Sequence, residues 1–145
     1  MSGRGKSAST PKPISTSKWI IPRKNVCEAN NGKFDNTDKI GLCLANWENA
    51  KKICSFSGKH LPTRNDLHKI ITNCGGIINA ENKSVDKNLK NDNYQSCYKK
   101  KGFIDGLDYW TSTSFNDNMN WTILLSFGSD HPNLYSNQSL VMCIP

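Results

Sequence analysis

Six cysteines in a chain of 145 residues, the last of them at position 143, constrain the fold more than any other feature. An even number at this size points to a disulfide framework, which forms and persists in oxidising compartments. No two of the six are spaced as Cys-x-x-Cys, which argues against a zinc ribbon or a thioredoxin-like redox pair. Cys54, Cys74 and Cys143 each fall inside a periodic apolar segment and so belong to packed structure. Three structural disulfides in an exported domain are therefore expected. Many pairings are open to six cysteines, and the spacing does not choose among them.

The length suits one domain with a workable core. A net charge of +7 invites a nucleic-acid reading, but its distribution opposes one. Arg4, Lys6, Lys12, Lys18, Arg23 and Lys24 fall within residues 1–24, which hold no acid. Beyond them the other 13 of the 19 basic residues face all 12 acidic ones, so the body of the chain is nearly neutral. A duplex-binding domain concentrates charge on a folded face; here only Lys99-Lys100-Lys101 forms a local run. No stretch approaches the roughly 20 apolar residues that span a bilayer, and residues 1–25 contain no apolar core of a signal peptide. The expectation is a module of a longer secreted or surface protein, with no direct membrane insertion.

Residues 1–18 are rich in Ser, Thr, Gly, Pro and Lys and are expected to be a flexible basic linker, with the domain spanning 19–145. Trp19-Ile20-Ile21, closed by Pro22, reads as a short edge strand. Asn46 precedes Trp47, Ala50, Ile53 and Cys54, one apolar helical stripe, and Gly58 supplies a stop. Thr63 and Asp66 form a capping box, after which Leu67, Ile70, Ile71 and Cys74 repeat at helical spacing up to Gly75-Gly76. From about Asn79 to Lys101 the chain is polar and reads as a long loop tethered by Cys97. The last third changes to period two: Trp121, Ile123, Leu125 and Phe127 share a face, and Tyr109–Thr113 and Leu140–Ile144 are β-rich. Helices first and strands later indicate α+β, two helices on a twisted antiparallel sheet.

Four segments in order carry a family resemblance: Cys43 to Cys54, Gly58 to Leu67 with its Leu61-Pro62-Thr63, Tyr109-Trp110-Thr111-Ser112-Thr113, and Val141-Met142-Cys143. Over about residues 40–145 the chain resembles the bacterial branch of the C-type lectin-like fold. That branch includes the tip domains of invasin- and intimin-like adhesins and a group of surface or pilus-associated domains. The resemblance implies that the helix around Cys54 lies beside the final strand, with Cys54 bonded to Cys143. Sequence proximity, and the need to tether the polar stretch, then pair Cys27 with Cys43 and Cys74 with Cys97. Calcium-dependent sugar-binding members carry Glu-Pro-Asn or Gln-Pro-Asp together with Trp-Asn-Asp. Neither triplet stands in this sequence, so the resemblance does not extend to calcium-mediated sugar binding.

No catalytic set emerges. His60, His68 and His131 are dispersed, with His68 on the polar side of its helix, and read as surface residues. Asp105 and Asp108 flank a turn. No Gly-x-Ser-x-Gly elbow or phosphate loop is present, and no cofactor or metal site is expected. Segments 114–120 and 128–138 read as loops meeting at one end of the sheet. They offer Phe115, Asn116, Asp117, Asn118, Asp130, His131, Asn133 and Tyr135 as ligand-binding residues: adaptable amides and exposed aromatics suit recognition on a rigid scaffold. The resulting expectation is a non-enzymatic, extracellular recognition domain of a bacterial surface protein, with a host or neighbouring-cell protein or glycan as partner. A competing reading is a cysteine enzyme of the formylglycine-generating type, which needs reduced thiols. A third is a structural capping module in a surface fibre.

Overall fold

A computed structural model describes residues 19–37, 41–79 and 85–145; the expected linker at 1–18 lies outside the described residues. Along the chain run α1 (Lys24–Ala29), β1 (Lys33–Asp35), β2 (Leu42–Ala45), α2 (Trp47–Phe56), α3 (Arg64–Asn73), α4 (Val85–Leu89), α5 (Asp92–Lys100), β3 (Tyr109–Asn116), β4 (Met119–Leu124), β5 (Ser129–Leu134) and β6 (Ser139–Leu140). The architecture is α+β.

Local chemistry sets the principal helices. The Asn46 side chain accepts from the Asn49 amide to open α2. Past its end, Gly58 takes φ +73°, a left-handed conformation that favours glycine. At α3 the capping box is complete, with Thr63 Oγ1 accepting from the Asp66 amide at 3.0 Å and Asp66 accepting from the Thr63 amide at 2.9 Å. The polar stretch after residue 79 is not the loop its composition predicts, because α4 and α5 occupy most of it. Asn91 caps α5 by accepting from the Tyr94 amide, and Tyr94 and Tyr98, one helical turn apart, are fully buried. Two tyrosines at i and i+4 give α5 its apolar face, and their hydroxyls find partners: Tyr94 donates to the Leu125 carbonyl, Tyr98 to Gln95.

The sheet has six strands in the order β1-β2-β6-β3-β4-β5. It is mixed rather than wholly antiparallel, since β6 enters its middle alongside β3 in the same direction, with Tyr109 opposite Leu140. Trp19–Ile21 contributes a single bridge rather than an edge strand, Ile20 exchanging two 2.9 Å hydrogen bonds with Cys143.

Adjacent residues on a strand point to opposite faces, and this divides the core in two. Tyr109 packs with Leu67, Ile71, Tyr94, Tyr98, Phe103 and Ile123 under α3 and α5. Trp110 packs with Cys27, Ala50, Ile53, Cys54 and Leu61 under α1 and α2, its indole donating to the Ala45 carbonyl at 2.7 Å. The C-terminal segment repeats the division, Leu140 and Met142 entering the first cluster, Val141 and Cys143 the second.

Three disulfides use all six cysteines: Cys27–Cys43 joins α1 to β2, Cys54–Cys143 joins α2 to the C-terminal segment, and Cys74–Cys97 joins the end of α3 to α5. Their sequence separations are 16, 89 and 23 residues. In the chain-entropy account such closures stabilise by about 3 kcal/mol for the short loops and about 4.5 kcal/mol for the long one. Replacing Cys54 and Cys143 together by Ala is therefore expected to lower unfolding free energy by about 4 kcal/mol or more, measured by urea denaturation. A midpoint equal to that of the native chain contradicts this assignment.

Candidate recognition surface

The outer half of the sheet, β3–β4–β5, carries one face that α3 covers only in part. The β4–β5 register places Ile123 opposite Asp130, Trp121 opposite Pro132 and Met119 opposite Leu134. Ile123 is buried in the core below α3. Two residues further out the helix has ended, and Trp121 is only half-buried. Arg64, the first residue of α3, lies over the indole with its guanidinium carbon 3.8 Å from the ring centroid, a cation–π contact. Phe115 meets the same indole edge-on at 5.1 Å and is 47% exposed. Pro132 is exposed beside it, and Leu134 is 41% exposed. A patch of Phe115, Trp121, Pro132 and Leu134 thus stands on strand backbone, with Arg64 at its margin.

Beneath that margin lies an ionic cluster. The Asp130 side chain is 2% exposed and receives the Arg64 guanidinium Nε. His68 Nε2 sits 2.8 Å from both Asp130 carboxylate oxygens and donates to them when it carries the proton. Burial alone would raise the Asp130 pKa. The hydrogen bonds and charges of His68 and Arg64 outweigh it and hold the carboxyl below its ordinary value. The Arg64 amide also donates to Thr113 Oγ1 at 2.9 Å, fixing the start of α3 against β3.

These positions revise the sequence expectations. Residues 129–134 form the edge strand β5, not a loop. Asp130 is therefore a buried anchor rather than an exposed ligand-binding residue, and His68 is its partner rather than an ordinary surface histidine. His131 points to the opposite face, its Nε2 2.8 Å from Ser129 Oγ. Asn133 braces the following turn, donating to Ser139 Oγ at 2.9 Å and accepting from Asn137 at 2.8 Å. Tyr135 stacks on Trp47 with ring centroids 4.4 Å apart, so it packs the sheet against α2. The turns at 117–118 and 135–138 do meet at one end, where the Tyr135 amide donates to the Asn118 carbonyl at 3.0 Å. Of the expected residues, Phe115, Asn116, Asp117 and Asn118 are the exposed ones. Arg64, Trp121, Pro132 and Leu134 join Phe115 on the patch. By its period Trp121 shares a face with Ile123, which is buried; only the end of the covering helix leaves Trp121 partly exposed.

Among the described residues, no group of three or more His, Cys, Asp or Glu gathers in a metal-holding arrangement. Comparison with known proteins finds no matching family model and no significantly similar curated sequence.

The cluster makes a testable contribution. A carboxyl whose folded pKa lies below its unfolded value, about 3.9, stabilises the fold above that value and ceases to as pH falls through the folded pKa. Asp130→Asn is expected to cost about 3 kcal/mol at pH 7, the lower end for a broken buried pair because Arg64 is partly solvated. The difference between variant and native chain, read by urea unfolding, should shrink steadily below about pH 4. A difference that stays constant with pH overturns the assignment.

Proposed function

We propose that this chain is a non-enzymatic recognition domain of C-type lectin-like architecture, carried by a bacterial surface adhesin or pilus-associated protein. Its partner is a host-cell or neighbouring-cell protein or glycan. The observation that carries the reading is the Phe115–Trp121–Pro132–Leu134 patch: aromatic and apolar groups held outward on a braced sheet, bordered by the amide-rich turn at Asn116–Asn118. Such a surface presents contact area with little side-chain entropy left to lose. Burying an aromatic anchor is also the usual source of binding energy at protein interfaces.

Two further observations support it. All six cysteines are in disulfides, the state favoured in oxidising compartments and unlike the reduced thiols a cysteine enzyme uses. No helix among the described residues is long and apolar enough to cross a membrane. Both are compatible with an extracellular location.

Binding of the folded domain to glycan arrays and to host-cell surfaces tests the reading. Phe115→Ala and Leu134→Ala should each weaken binding about tenfold, as loss of an anchoring side chain does. Their melting temperatures should match the native domain, since exposed positions shift stability by about 0.5 kcal/mol or less. Absence of binding to any such surface, or full affinity in both variants, sinks the reading.

A further inference from the structure

A groove of about 690 Å3 runs between α3 and α5, on the side of α3 turned away from the patch. Arg64 and His68, at i and i+4, face Asp130 on β5. Asp66, Lys69, Ile70 and Asn73 line the groove about half a helical turn round. The opposite wall is Asn93, Ser96, Cys97, Lys100 and Lys101, and Trp19 closes one side. The volume falls within the range of ligand clefts, about 300–1,000 Å3.

The chemistry of the walls is one-sided. Lys69, Lys100 and Lys101 are exposed, and none is ion-paired among the described residues. The one acid present, Asp66, has its carboxylate engaged in the capping box. Lysines at the end of α5 suit the helix dipole wherever they point, and Lys99 pairs with Asp105 at 3.4 Å. Lys69 is different: it lies mid-helix on the facing wall, so lysines from two elements line the same gap. The half-buried Trp19 and the amides of Asn73 and Asn93 complete the set. Cys74–Cys97 joins the two helices covalently and fixes the width of the groove.

We propose that this groove binds an acidic saccharide, a short oligosaccharide bearing carboxylate or sulfate groups. Ammonium groups form charge-assisted hydrogen bonds with its anions, amides meet its hydroxyls, and the indole takes the apolar face of a sugar ring. A nucleic acid would call for an extended basic stripe, whereas this groove is short and the body of the chain nearly neutral. Phosphopeptide sites use clustered arginines, and none lines these walls. The site is independent of the patch, since it uses the other side of α3.

The test titrates the full chain with a heparin-derived hexasaccharide, a hyaluronan hexasaccharide, neutral maltohexaose and a single-stranded oligonucleotide, following the assigned Trp19 indole N–H resonance. The two acidic saccharides should shift that resonance and the neutral one should not, with binding weakened at least about tenfold between 0.05 and 0.5 M salt. The combined variant Lys69→Gln, Lys100→Gln and Lys101→Gln should abolish the Trp19 shift at an unchanged melting temperature. An equal charge loss at Lys24, Lys33 and Lys52, outside the groove, should leave the shift in place, as should Phe115→Ala. The proposal is overturned by a stationary Trp19 resonance with both acidic saccharides. It is overturned equally by an undiminished shift in the groove variant, or by an oligonucleotide that moves Trp19 as strongly.

Discussion

The last residues of the chain hold the rest of the domain together. Between Leu140 and Ile144, four amides donate to four separate segments: Leu140 to Asp108, Val141 to Cys43, Cys143 to Ile20 and Ile144 to His60. Alternating side chains of the same stretch enter both core clusters, and Cys143 is bonded to Cys54 on α2. One short segment thus pairs backbone with the N-terminal region, β2 and the approaches to α3 and β3, while its side chains fill both layers. Contacts of such sequence separation carry a large loop-closure entropy, and the Cys54–Cys143 bond removes part of it from the unfolded chain.

The exposed patch and the groove depend on that constraint. β3 is fixed beside β6, so Tyr109 and Trp110 anchor it from opposite faces. The hairpins leading out to β5 project from this anchor, and the Arg64–Asp130–His68 cluster ties their far edge back to α3. What is left uncovered, the Phe115 and Trp121 patch, consequently stands on paired strands rather than on a loop. The groove between α3 and α5 is held in a similar way, by Cys74–Cys97 at its wall, while Asn88 ties α4 down by bonding both the Ile77 backbone and the Phe127 carbonyl. At Gly128 a Cβ would approach Asn88 Nδ2 to 2.4 Å, and φ is +72°, so glycine is required where the sheet turns under α4.

Much of the fold was legible in the sequence, for identifiable reasons. Caps at Asn46 and Thr63 and stops at Gly58 and Gly75 mark α2 and α3 because those signals are local. The pairing of Cys54 with Cys143 came from a family resemblance, and that of the other four cysteines from proximity; the same three bonds are present in the structure. Helix α5 was hidden by its composition, since only Tyr94, Tyr98 and the Asn91 cap speak for it among Asn, Asp and Lys. Strand β5 was hidden by Asp130, Pro132 and Asn133, which read as turn residues. It forms because backbone pairing with β4 needs no apolar alternation, and an edge strand tolerates proline. The site was the least legible part: Arg64 and Asp130 lie 66 residues apart, and Trp121 is uncovered only because α3 ends above it. Such facts belong to tertiary placement, which no local period encodes.

Native-state hydrogen exchange tests the organising role of the C-terminal segment most directly. If Leu140 to Ile144 hold both layers together, the amides of Val141 and Cys143 should be among the slowest in the domain. They should exchange only through global unfolding and share the denaturant dependence of the Ile71 amide in α3. Exchange of Val141 and Cys143 by local opening, while Ile71 stays protected, would show that the domain stands without this segment and would contradict the account.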